Sequence, residues 1–88
     1  MILYAMIMET VDPEKDAEVL DEHKAYLAKY LESGKIYAKG PFLDHSGGLI
    51  IYNTETIEEA RELIENDPVI KHKSRKYTLK EWRSTIEI

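Results

Sequence analysis

Hydrophobic positions along this chain fall into six segments whose periods alternate between strand and helix. Residues 2–8 are apolar at nearly every position, so Ile2, Tyr4, Met6 and Met8 point one way and Leu3, Ala5 and Ile7 the other. Such a strand is covered on both faces. From Pro13 to Ser33 the period lengthens: Val19 or Leu20, His23, Leu27, Tyr30 and Leu31 mark one stripe of a long helix. Asp12 is its N-cap, Pro13 suits its first position, and Glu14 and Asp16 sit at the positive end of its dipole. Gly34 follows as the left-handed residue that ends it.

Residues 35–42 and 48–53 read as a second and a third strand, joined by a hairpin turn over Leu43–Gly47. Leu49, Ile50, Ile51 and Tyr52 are again apolar on both faces. Thr56 and Glu59 form a capping box for a second helix, with Ile57, Ala60, Leu63 and Ile64 inward and Glu58, Glu62 and Glu65 in water. Pro68 stops that helix at Asp67. Val69–His72 adds one more turn, and Ser74–Trp82 is the last strand.

The order strand, helix, strand, strand, helix, strand is the split βαβ, ferredoxin-like pattern, an α+β fold with a four-stranded antiparallel sheet. Two helices cover one face of such a sheet, yet the first and third strands are apolar on both. A second copy, sheet against sheet, closes a dimeric α/β barrel and removes the exposed face. A homodimer is therefore expected.

Composition narrows the partners. The 88 residues form one domain, 1–88, and their net charge of −5 argues against general nucleic-acid binding. Absence of cysteine excludes disulfides and thiolate metal sites and suits a reducing cytoplasm, the expected location. The apolar start has no basic leader and is too short to cross a bilayer, so no membrane partner is expected. No metal site is expected either, because no two histidines lie close in sequence. Gly47-Gly48 lacks the strand–loop–helix setting and the lysine of a phosphate loop, and no cofactor is implied.

Candidate chemistry centres on His23 and Asp44. A histidine on an apolar helix stripe is more often a satisfied core residue than a catalyst. Here its helix packs over strands contributed by residues 34–48, and Asp44 ends one of them. A histidine held by an aspartate makes an oriented acid–base pair, although Asp44 also suits a plain turn role. His45 reads as an exposed loop residue. Asp67 reads as a cap for the turn that Pro68 begins. The basic run Lys71–Lys76 is a solvated face, or it draws an anionic substrate towards a cleft.

His23, Gly34, Gly40-Pro41, Asp44, Gly47-Gly48 and Asp67-Pro68-Val69 occur in an order that resembles the YCII-related family across nearly the full chain. The closing strand Tyr77–Trp82 is similar too, with Glu81 where the family commonly has proline. The resemblance implies a ferredoxin-like subunit, a face-to-face homodimer and a cleft with a histidine and an aspartate, which map onto His23 and Asp44. It implies acid–base isomerisation or elimination, as in lactone isomerases or dehydrochlorinases, on a small cyclic anionic substrate. The alternative is a non-catalytic dimeric module that binds a metabolite, with His23 structural.

Overall fold

The computed structural model describes residues 1–88 and has the expected element order. Strand β1 (Ile2–Thr10) leads into helix α1 (Pro13–Ser33), then β2 (Ile36–Pro41) and β3 (Gly47–Tyr52). Helix α2 (Ile57–Glu65), the short helix α3 (Pro68–Lys71) and β4 (Arg75–Arg83) complete the chain. All strand pairs are antiparallel, in the spatial order β2-β3-β1-β4. The two most apolar strands thus occupy the centre, where both edges are paired.

Local chemistry explains the helix boundaries. Asp12 accepts a hydrogen bond from Lys15 N at 3.1 Å, and Gly34 ends α1 with φ of 86°. That left-handed conformation strains any residue with a Cβ, which is why glycine stands there. Thr56 caps α2 by accepting from Glu59 N at 3.1 Å. The reciprocal half of the box is displaced by one residue, because Glu59 Oε1 accepts from Glu55 N at 3.3 Å.

One sheet face packs on the helices. Tyr4, Met6 and Met8 of β1, Ile50 and Tyr52 of β3, and Val19, Leu27, Ala60, Ile64 and Val69 of the helices form the core. Within α1 the buried stripe is Val19, His23 and Leu27. Tyr30 is only partly buried and Leu31 is exposed, so the expected stripe is too long at its C-terminal end.

The other face carries Ile7 opposite Leu49, Ala5 opposite Ile51, and Leu3 opposite Trp82. No helix lies over it, and Ile7 and Trp82 are each 40% exposed. No helix of the protein is long and apolar enough to cross a membrane.

Candidate active site

His23 is the only histidine on a buried face, and α1 delivers it to the start of α3. Its Nδ1 lies 2.7 Å from Asp67 Oδ1, with both side chains almost fully buried. A carboxylate oxygen can only accept, so Nδ1–H donates and the free lone pair of the neutral ring sits on Nε2. The same Asp67 oxygen accepts from Val69 N at 3.2 Å and thereby caps α3. One carboxylate therefore starts a helix and orients an imidazole.

Asp44 is elsewhere. It stands exposed at the tip of the β2–β3 hairpin, where its Oδ1 accepts from Ser46 N at 3.0 Å and Ser46 Oγ at 2.6 Å. The Ser46 bonds hold its carboxyl below the usual range. This is an Asx turn. The expected His23–Asp44 pair is not formed, because local bonds satisfy Asp44 within its own turn and Asp67 occupies His23. His45, beside it, is exposed as expected.

A cleft of about 160 Å³ opens on the helix side of the sheet, and His23 forms part of its wall. Leu20, Leu27, Met8 and Ile50 make it apolar, while residues 39–41 and 47–48 form the hairpin wall. Gly47 stands there because a Cβ would meet Met8 O at 1.9 Å, so the glycine serves strand packing. Lys24, Lys39 and Arg75 also line the cleft and no carboxylate residue does, in a chain whose net charge is −5. The lining therefore favours anions.

Arg75 is the residue of the basic run that turns inward. Its Nε donates to Asp16 Oδ1 at 2.7 Å and its Nη2 to Asp16 Oδ2 at 2.9 Å. Ser74 Oγ donates to the same Asp16 Oδ1 at 2.8 Å. Lys71, His72, Lys73 and Lys76 remain solvated. Burial alone would raise the Asp16 carboxyl, but bonds from Arg75 and Ser74 and the Arg75 charge hold it below its ordinary value of 3.8. A depressed carboxyl contributes stability that is complete above the unfolded value and is lost as pH falls through the folded one. The advantage of wild type over Asp16→Asn, read from urea midpoints, should hold at neutral pH and shrink below about pH 4.

Two tyrosines complete the surroundings. Tyr26 Oη donates to Leu63 O at 2.8 Å and ties α1 to α2. Tyr52 is fully buried, and burial followed by the nearby Asp67 charge raises its hydroxyl far above the ordinary value, so it stays protonated.

Comparisons with known proteins agree with this architecture. The chain is 30% identical over 82 residues to YjpA of Bacillus subtilis (strain 168), an uncharacterised protein, covering 92% of this chain and 96% of that one. Its fold matches 5-chloro-2-hydroxyhydroquinone dehydrochlorinase (TftG) from Burkholderia phenoliruptrix AC1100, solved in complex with 2,5-dihydroxybenzoquinone. That match has a TM-score of 0.70 and 27% identity, covering 92% of this chain and 93% of the other. The model of the YCII-related domain matches residues 2–83, and the chain belongs to that family.

Proposed function

We propose that this protein is a general acid–base enzyme acting on a small, cyclic, anionic substrate, with His23 as the catalytic residue and Asp67 as its positioning partner. The carrying observation is the buried 2.7 Å hydrogen bond between His23 Nδ1 and Asp67 at the wall of the cationic cleft. Asp67 fixes the ring and its tautomer, leaving Nε2 to take a proton from a substrate carbon or hydroxyl. In an isomerisation His23 returns that proton at another ring position. In an elimination the electron pair left behind expels a leaving group such as chloride, and the proton passes from His23 to water. Likeness to a dehydrochlorinase supports the second course. Asp44 keeps its turn role in this reading.

The enzyme acts as a homodimer, with the uncovered face of Ile7, Leu49 and Trp82 against its equivalent. The apolar pairing of that face across β1, β3 and β4 supports this.

Chloride release from 5-chloro-2-hydroxyhydroquinone and related chlorohydroquinones, together with turnover of unsaturated lactones, tests the proposal. Wild type should turn over at least one of them. His23→Asn, whose side-chain amide can still donate to Asp67, should lower that rate by about 10²–10⁴-fold while remaining folded. A folded, dimeric wild type that binds these compounds and transforms none would favour the binding-module reading.

A further inference from the structure

Arg75 presents a donor that the protein leaves without a strong acceptor. A guanidinium carries five N–H groups in a rigid fork. Asp16 takes the edge formed by Nε and Nη2, at 2.7 and 2.9 Å. The opposite corner, Nη1, meets Met8 Sδ at 3.8 Å, and thioether sulfur is a weak acceptor. Arg75 is only 12% exposed at its side chain, and both it and Met8 line the cleft that His23 also lines. Few water contacts are open to a side chain buried to that degree.

We infer that Nη1 of Arg75 is an oxyanion subsite, which receives a carboxylate or phenolate-type oxygen of a single-ring ligand held against His23. The ring class follows from the apolar Leu20, Leu27 and Ile50 and from a volume of about 160 Å³, which admits one six-membered ring. The inference rests on the reading of this cleft as a small-molecule site and specifies where the ligand's negative oxygen lies.

Asp16 gives the subsite its character. Its carboxylate cancels the arginine charge, so the pair selects by a directed, charge-assisted hydrogen bond. Lys24 and Lys39, exposed at the same cleft, instead supply attraction that salt screens. Two components of anion preference follow, one salt-sensitive from the lysines and one salt-resistant from Arg75. Lysine cannot replace Arg75, because it lacks the fork that grips Asp16 while presenting a further donor.

Benzoate and its neutral isostere benzamide are suitable probes, titrated at millimolar concentration into isotope-labelled protein and followed by the amide and arginine side-chain resonances. Wild type should prefer benzoate by about tenfold or more, with part of the preference surviving high salt. The Nε–H resonance of Arg75 should move with benzoate alone. Arg75→Lys should lose the salt-resistant part. The double variant D16N/R75Q, which removes the ion pair without leaving a buried charge unpaired, should lose it too while keeping a folded spectrum. His23→Asn should retain the benzoate response at Arg75 even though it lowers turnover, so failure of the catalytic reading leaves this result intact. Unchanged benzoate preference in both folded Arg75 variants, shifts confined to Lys24 and Lys39, or no benzoate binding by wild type would each overturn the subsite.

Discussion

Asp67→Ala should destabilise the protein by about 3–5 kcal/mol, the cost of removing one partner from a buried polar pair. Three losses coincide at this fully buried side chain. The α3 cap disappears with the bond to Val69 N, worth about 1 kcal/mol. His23 Nδ1–H is left without an acceptor in a site that water barely reaches, costing about 1–3 kcal/mol. A cavity the size of a carboxyl group also remains beside Val69. Urea unfolding measures the sum.

Asp67→Asn separates the fold from the chemistry. An asparagine oxygen can still cap α3, but the amide has no charge to stabilise the imidazolium formed when Nε2 takes a proton. Turnover should fall by about 10²–10⁴-fold with a much smaller loss of stability than the alanine variant shows. Asp44→Ala is the contrast, since that carboxylate serves an exposed turn. It should cost about 1 kcal/mol or less and leave turnover unchanged. Equal damage from Asp44→Ala and Asp67→Ala would sink this assignment.

A charge placed at Ile7 should abolish the proposed dimer. Ile7 lies on the central strand, opposite Leu49 on one side and Thr78 on the other, at the middle of the uncovered face. In a two-fold interface one substitution appears twice, so Ile7→Glu buries two carboxylates without partners. Each costs several kcal/mol after relaxation, so association should weaken by about 10⁴-fold or more. The monomer's own core is untouched, because Ile7 faces away from the helices. Analytical ultracentrifugation should show a folded monomer for Ile7→Glu and a dimer for wild type. A wild type that sediments as a monomer at micromolar concentration would contradict the dimer.

Much of the fold was legible because its signals are local. Asp12 with Pro13, and Gly34 after the last helical residue, mark both ends of α1 as the structure has them. Unbroken apolar runs in residues 2–8 and 49–52 identify the central strands, since alternation fails where both faces carry apolar side chains. Leu31 was misplaced because 3.6-residue spacing continues past the point where the sheet stops covering the helix.

The site was less legible because one residue had a complete local explanation. Asp67 before Pro68 is accounted for as a helix cap, and nothing nearby in sequence asks for more. Its second role depends on α1 packing against α3, a contact between residues 44 positions apart. The flanking residues held a usable signal. Asp67 precedes apolar Val69 and Ile70 and is drawn inward, while Asp44 sits among His45, Ser46 and two glycines, as an exposed turn residue does. Arg75 was hidden in the same way: four solvated basic neighbours conceal the one that pairs with Asp16.

In the proposed mechanism Asp67 holds His23 as an oriented base with Nε2 free for substrate. Long-range nitrogen–proton correlation spectra of the His23 imidazole, in protein labelled with ¹⁵N, test it most directly. The neutral ring should carry its proton on Nδ1, and this signature should survive Asp44→Ala. A neutral His23 with its proton on Nε2, or a ring whose tautomer responds to Asp44→Ala and not to Asp67→Asn, would contradict it.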